Sequence, residues 1–334
     1  MEPRVLARPE GDLAHDPTVA CDRMTPDLDR ALQTVLGRCL AVRDGEEVLI
    51  VTDPDRERLG HALLDAARAL GADGSLTILP PDPRRGFEPP RAVAAAFAAC
   101  DVFLAPCEPS LSHTTARKAA SEKGIRGATL PGVTEDMLAR LMSADFDAMA
   151  KRCAAVAAIL SDADEAHLTC PRGTDFRIDL AGRSGIPDDG DLTAPGAFGN
   201  LPCGEGFISP AGGEGTIIAE SEALTGLQSE PLRIEVRDGV LADATNPTFL
   251  AALDAHAPGG RNLAELGVGT NDQAKLTGNI LEDEKILGTA HVAFGASAGI
   301  GGNVTVPVHL DVVVVDASLT IGGTQVLDAG RYVL

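Results

Sequence analysis

The stretch EVLIVTDPDRERLGHALLDAARALGADGSLTIL, residues 47–79, decides the fold class of this chain. The apolar run Glu47–Thr52 predicts a buried strand of a parallel sheet. Asp55–Leu70 has the period of an amphipathic helix, and Gly71 predicts its end. Ser75–Leu79 predicts the next strand. Because strands that alternate with helices of about 10–15 residues form parallel layers, this stretch predicts a doubly wound α/β sheet.

The same alternation continues on both sides of this stretch, to about residue 160. Further helices are predicted over 26–42, 91–99, 112–123, 135–142 and 145–159, and further strands over 101–105 and 126–130. A chain of 334 residues is long enough for roughly two domains of about 150 residues. We therefore predict an α/β domain over residues 1–160.

From about His167 the pattern changes to paired strands with turn residues between them. A stretch rich in Gly, Pro and Asp, residues 182–207, predicts a long loop. Strands are predicted over 167–171, 176–180, 215–219, 232–237, 289–294, 308–315 and 331–334, with one helix over 247–255. This pattern predicts a second, strand-rich α+β domain over residues 161–334.

Composition excludes several classes of function. The 49 acidic residues outnumber the 28 Lys and Arg residues, and a net charge of −21 repels the phosphate backbone of nucleic acids. No apolar run reaches the roughly 18–20 residues that span a bilayer, and Met1–Arg4 does not begin a signal peptide. We therefore expect a cytoplasmic protein without a nucleic-acid or membrane partner. The seven cysteines, Cys21 among them, have no CxxC spacing, which disfavours a disulfide framework or a structural zinc site.

Five acidic and imidazole residues of the second half carry the chemical signal: Glu205, Glu265, His291, His309 and Asp311. His309 and Asp311 are two residues apart in a predicted strand, so their side chains share one face. His291 and Glu265 interrupt apolar segments, where an unpaired polar group would cost several kcal/mol, so each needs a partner. A shared divalent cation would supply it, and the second domain is predicted to bind metal. The alternatives are hydrogen-bonded core histidines and a solvated Glu205.

Other motifs are weaker. The string GASAGIG, Gly295–Gly301, is similar to a dinucleotide-binding turn but leads into a strand pattern instead of a helix. Cys203 has no nearby His in sequence to act as the base of a nucleophilic thiol. The remaining histidines are predicted to be surface or capping residues: His15, His61, His113, His167 and His256.

Several strings resemble the aminopeptidase T/aminopeptidase S family of metallopeptidases. They are NLPCGEGFISP (200–210), ELGVGTN (265–271), EKILGTAHVAFG (284–295), HLD (309–311), ATLPGVTEDML (128–138) and TCPRGTDFRIDLAGR (169–183). The resemblance implies a homodimeric two-domain hydrolase that cleaves an N-terminal peptide or related amide bond of a peptide or small-molecule substrate. One or two ions of Zn, Co, Mn or Mg would be held by Glu205, Glu265, His291, His309 and Asp311. Glu205, on a mobile loop, would be a ligand or the general base.

One departure weakens the peptidase hypothesis. The family carries a Tyr seven residues after the position of His291, where this chain has Ala298. The same superfamily contains iron-dependent dihydroxypyridine dioxygenases, in which the position of Glu265 is a His and the counterpart of Glu205 is missing. The alternative is therefore a ring-cleaving dioxygenase with Fe(II) held by His291, His309 and Asp311. A third hypothesis is a non-enzymatic role.

Overall fold

A computed structural model describes residues 25–80, 88–108 and 110–334 of the chain. The predictions made for Met1–Arg4, His15 and Cys21 lie outside these residues. Among the residues that are described, no helix is both long and apolar enough to cross a membrane.

Within the described residues, the first layer is a parallel sheet of five strands with helices packed on it. Its strand order is β2-β1-β3-β4-β8, and the first four strands and their helices follow the predicted alternation. The strands are β1 Glu47–Thr52, β2 Asp73–Ile78, β3 Val102–Ala105, β4 Arg126–Thr129 and β8 Phe198–Asn200. The helices are α1 Pro26–Gln33, which continues as a π-helix over Thr34–Cys39, α2 Glu57–Ala69, α3 Arg91–Phe97, α4 Thr115–Glu122, α5 Glu135–Leu141 and α6 Phe146–Asp162.

The second layer is a large antiparallel sheet, with thirteen strands in the described part of the chain. Its path is β18-β17-β16-β5-β6-β10-β15-β14-β13-β9-β7, and β11 and β12 extend it from β10. Its first strands are β5 Glu165–Thr169, β6 Asp175–Asp179, β7 Ile186–Asp188, β9 Glu205–Ile208, β10 Gly212–Glu222, β11 Gly226–Arg237 and β12 Val240–Ala244. The later ones are β13 Leu263–Gly269, β14 Ala290–Gly295, β15 His309–Val314, β16 Ser318–Ile321, β17 Thr324–Asp328 and β18 Arg331–Tyr332, with helices α7 Pro247–Asp254 and α8 Ile280–Asp283. The α/β fold class with a strand-rich second half is confirmed.

The predicted loop over residues 182–207 is wrong in one respect that matters for the site. It contains β7 and β8 and the first residues of β9. β8 returns to the first layer and pairs in parallel with β4, Ala128 with Gly199. Leu192 and Leu201 of the same stretch are buried in the core of the first layer. Strands of three or four half-buried residues have no hydrophobic period, so the composition of the stretch indicated only a loop.

Candidate metal centre

Four neighbouring strands bring all five predicted site residues to one face of the second sheet. The strands lie in the order β15, β14, β13 and β9. His309 and Asp311 lie on β15, His291 on β14, Glu265 on β13 and Glu205 at the start of β9. Glu205 is therefore a buried strand residue, and the prediction of a mobile loop around it is wrong.

The strand register explains how the side chains fit together. Gly267 is the partner of His291 across β13 and β14. A Cβ atom at Gly267 would lie 2.0 Å from His291 Nε2, so the imidazole occupies the space that a side chain would fill. Asp311 is paired with Ala293, another small residue on the same face. Small residues on β13 and β14 thus leave room for the larger polar ones.

The inner donor group consists of Glu205, Glu265 and His291, all buried. His291 Nε2 lies 2.9 Å from Glu205 Oε2 and 3.4 Å from Glu265 Oε1. Despite this proximity, the buried Glu205 Oε2 accepts no well-aligned hydrogen bond from any described residue. A buried oxygen in that position needs a cation or a proton beside it.

The outer donor group consists of Glu265, His309 and Asp311. His309 Nε2 lies 3.3 Å from Glu265 Oε2 and 3.5 Å from Asp311 Oδ1. Its other nitrogen, Nδ1, lies 2.8 Å from the carbonyl oxygen of Ala296 and donates to it. This bond directs Nε2 toward the carboxylates, as in histidines that bind metals.

The two groups share Glu265, which sends one carboxylate oxygen to each histidine. Donor atoms about 2.0–2.2 Å from one ion are roughly 3 Å apart, and the measured spacings are close to that value. Carboxylate and imidazole donors fit a hard-to-borderline divalent cation. In the described part of the chain, the predicted iron set of His291, His309 and Asp311 is divided between the two groups, with His291 in the inner one and His309 and Asp311 in the outer one.

The electrostatics of the metal-free centre follow from this crowding. Burial alone would lower the pKa of His291 and His309, but the adjacent carboxylates outweigh it and raise the pKa of both imidazoles well above the usual value. Burial likewise raises the pKa of Glu265, yet hydrogen bonds from the two histidines lower it overall. Protons on the imidazoles therefore balance the charge of the carboxylates when no metal does.

Lys285 is a member of the centre that the sequence analysis missed. Its side chain is buried, and Nζ donates to Glu205 Oε1 and to Glu284 Oε1, both at 2.6 Å. Burial raises the pKa of Glu205, but Lys285 and His291 together lower it, which makes Glu205 a poor general base. Burial also raises the pKa of Glu284 to about 8, and Lys285 opposes that rise only in part. Four consecutive charged residues, Glu282–Lys285, are buried, whereas such a run normally indicates a solvated surface.

A cleft of about 700 Å³ opens onto the outer donor group. His309 and Asp311 line it, and the opposite wall comes from the first layer and the residues after its strands. His113 lies on this wall and stacks on His309 with a distance of 5.6 Å between ring centroids. Desolvation in the cleft and the neighbouring His309 lower the pKa of His113. His113 is exposed, as predicted for a surface residue. The sequence did not predict its contact with His309, because a lone His between Ser and Thr residues carries no sequence signal.

Two other sequence predictions concern this region. Cys203 is buried, and burial raises the pKa of its thiol far above the usual value, so it is not an activated nucleophile. Ala298, at the position of the family Tyr, is exposed at the start of a 3-10 turn after β14. Its methyl group can neither bind a cation nor donate a hydrogen bond.

The layered fold and the clustered carboxylates and imidazoles define a class of metal-dependent enzymes. The chain belongs to the NicX family, described as 2,5-dihydroxypyridine 5,6-dioxygenase, whose profile matches residues 27–334. No protein of curated function matches it significantly. The family shown is that of the dioxygenases, which was the alternative to the aminopeptidase family that the motifs resemble.

Two solved structures share the fold. The 2,5-dihydroxypyridine dioxygenase from Pseudomonas putida KT2440 has a TM-score of 0.76 and 20% sequence identity, and the match covers 92% of this chain and 96% of that one. Wild-type AmpT from Thermus thermophilus has a TM-score of 0.67 and 18% identity, over 92% of this chain and 99% of the other. The family and the donor groups together support a metal cofactor.

Proposed function

We propose that this chain is an iron(II)-dependent dioxygenase that cleaves the ring of a hydroxylated pyridine-type substrate. The observation that carries the proposal is the outer donor group, Glu265, His309 and Asp311, which lies at the cleft with His113 stacked beside it. Three protein donors leave coordination positions open for other ligands. Membership of the NicX family supports the reaction type.

The residues of the chain have distinct roles in this proposal. Glu265, His309 and Asp311 would hold the ion, and the inner group lies behind them, away from the cleft. Iron(II), when bound, would supply the redox chemistry for reaction with oxygen. His113, which lines the cleft and stacks on His309, would orient a ring hydroxyl by a hydrogen bond at its exposed edge. Lys285 fixes Glu205 and compensates the carboxylates of the inner group.

The test is oxygen consumption by the iron(II)-loaded protein with 2,5-dihydroxypyridine. We expect uptake that chelation abolishes and that iron(II), but not zinc(II), restores. Replacement of His309 by Ala should remove both uptake and bound iron, whereas His256→Ala, a change outside both donor groups, should preserve both. Absence of uptake by an iron-loaded wild-type protein across hydroxylated pyridines would rule the proposal out.

One observation favours a second candidate, a metal-dependent amide hydrolase. Glu265 is shared by two donor groups, which is the arrangement of a carboxylate that bridges two ions. In this reading His291 and Glu205 hold the second ion. The poor basicity of Glu205 makes it a ligand in that case, since a general base must accept a proton.

Metal stoichiometry and leucyl-amide hydrolysis separate the two candidates. A hydrolase should bind two zinc or manganese ions per chain and release leucine without consuming oxygen. A dioxygenase should need one iron(II) per chain and leave the amide intact. The homodimer and the cytoplasmic location stay predictions. Sedimentation equilibrium would test the first of them, the oligomeric state.

A further inference from the structure

The part of the cleft wall that α4 supplies carries a cation without an ion-pair partner among the described residues. Lys118, on α4, lines the cleft and is half-buried. No ion pair of the described residues includes it, although acidic residues outnumber basic ones by 21 in this chain. Its neighbour Arg117 also has no carboxylate partner in the described structure, because its guanidinium stacks on Phe198 at 4.0 Å and Nε donates to the Ser112 carbonyl. The same wall also carries the carboxylates of Glu88 and Glu108.

The carboxylates around the cleft are already engaged elsewhere. Glu108 accepts a bond from Arg56 Nη2 at 2.8 Å. Glu88 accepts bonds from the backbone amides at the start of α4, at 3.2 Å for Ala116. Glu284 is bound to Lys285 at 2.6 Å. Among the described residues, none of these carboxylates forms an ion pair with Lys118, which can therefore bind an acidic group of a molecule in the cleft.

A fixed hydrogen-bond donor lies on the same wall. Asn200, at the end of β8, lines the cleft, and its Oδ1 accepts from Thr129 Oγ1 at 2.7 Å and from Ser112 Oγ at 3.2 Å. Both hydroxyl groups belong to buried residues. With its carbonyl oxygen held in this way, the amide of Asn200 keeps its NH2 group as a donor for a molecule in the cleft. Ser112 precedes His113, so this donor lies beside the histidine that stacks on His309.

We infer that the cleft recognises a carboxylate on the substrate, bound by Lys118 and Asn200 while the opposite end of the molecule faces the outer donor group. This inference rests on the proposed function. The two together assign the substrate to the hydroxylated aromatic carboxylates. An ammonium and an amide donor complement a carboxylate in charge and in hydrogen bonding. A neutral dihydroxypyridine leaves Lys118 uncompensated.

Calorimetric binding to the zinc-loaded protein tests the inference without turnover. The probes are 2,5-dihydroxypyridine and a 2,5-dihydroxypyridine that carries a ring carboxylate. We expect the carboxylated ring to bind about tenfold tighter, the effect of one partly exposed charge pair worth about 1.4 kcal/mol. Lys118→Met should abolish that preference. The matched control, Lys123→Met, removes an exposed lysine at the other end of α4 and should preserve it.

Each outcome of this experiment either supports or overturns the inference. Equal affinity for the two rings in the wild type, binding of neither ring, or a preference that survives Lys118→Met overturns the inference. A dipeptide and its C-terminal amide test whether a peptide, instead of an aromatic acid, supplies the carboxylate. If the protein prefers the free dipeptide but binds the two rings with equal affinity, the assignment to aromatic acids is overturned. Failure of the proposed function is seen separately, as absence of oxygen uptake by the iron(II) protein.

Discussion

Glu265 sends one oxygen toward His291 and the other toward His309, so one side chain links the two donor groups of the centre. The sequence predicted this convergence from residue types alone, because buried carboxylates and imidazoles cannot remain unpaired. It did not predict Lys285 or His113. Lys285 follows three acidic residues in a run that looks solvated, and His113 has no periodic or motif context.

The imidazole protons predict how metal affinity depends on pH. The pKa of both histidines is raised in the metal-free protein, so both are protonated at neutral pH. A cation that binds at Nε2 must displace a proton, so affinity rises with pH and protons are released on binding. Calorimetry of manganese binding in buffers of different ionisation enthalpy measures this release. Glu205 is the larger cause of the raised pKa of His291 and Asp311 that of His309, but Glu265 contributes to both. Glu265→Gln should therefore reduce the release, and an unchanged number of protons would contradict the explanation.

The close approach at Gly267 predicts the effect of a single methyl group. Gly267→Ala places a Cβ about where His291 Nε2 lies, so the ring must move away from both glutamates. We expect a loss of about 1–3 kcal/mol in the free energy of unfolding, typical of overpacking, and weaker metal binding. Gly299→Ala is the control, since a Cβ there has no described neighbour within 4 Å. Urea denaturation and metal analysis give both quantities, and equal results for the two variants would refute the steric argument.

At the level of elements, the predictable strands are those whose burial is complete. Val48–Val51 of β1 are all buried, and a continuous apolar run is the pattern of a parallel strand between two helical layers. β8 is half-buried and three residues long, and its pairing with β4 depends on a contact between distant segments. The strand order β15-β14-β13-β9, which brings the site residues together, likewise depends on pairing between distant segments. One sequence does not specify that pairing.

The short helix α8 is joined to α5 by a buried ion pair. Arg140 donates to both oxygens of Glu282, at 2.5 and 3.0 Å, and Glu282 is 1% exposed. Arg140→Met leaves that carboxylate buried and unpaired, so we expect a loss of about 3 kcal/mol in the free energy of unfolding. Arg331→Met, which breaks an exposed pair with Asp328, should cost less than about 0.5 kcal/mol.

Chemical denaturation of the Arg140→Met/Glu282→Met double variant completes that comparison. Removal of both charges should recover part of the lost stability, because methionine tolerates a buried position. If the double variant is less stable than Arg140→Met alone, the unpaired carboxylate is not the source of the loss.

On the scale of the whole molecule, the two layers are interlocked. The sequence predicted a division at residue 160, yet β8 and the buried Leu192 and Leu201 lie beyond it and complete the first layer. A fragment of residues 25–165 would expose the edge of β4 and part of the core. We expect this fragment to be aggregated or loosely packed in near-UV circular dichroism and NMR spectra. A well-dispersed spectrum from the isolated fragment would show that β8 is dispensable.

The wide spacing of the donor residues along the chain has a thermodynamic consequence. About a hundred residues separate Glu205 from Asp311, and four strands supply the donors between them. An ion that joins them closes long loops, as a disulfide would, in a protein whose six described cysteines are unbridged. Metal supply would then govern the stability of the folded chain as well as its chemistry, because an ion that binds only the folded state stabilises it relative to the unfolded state.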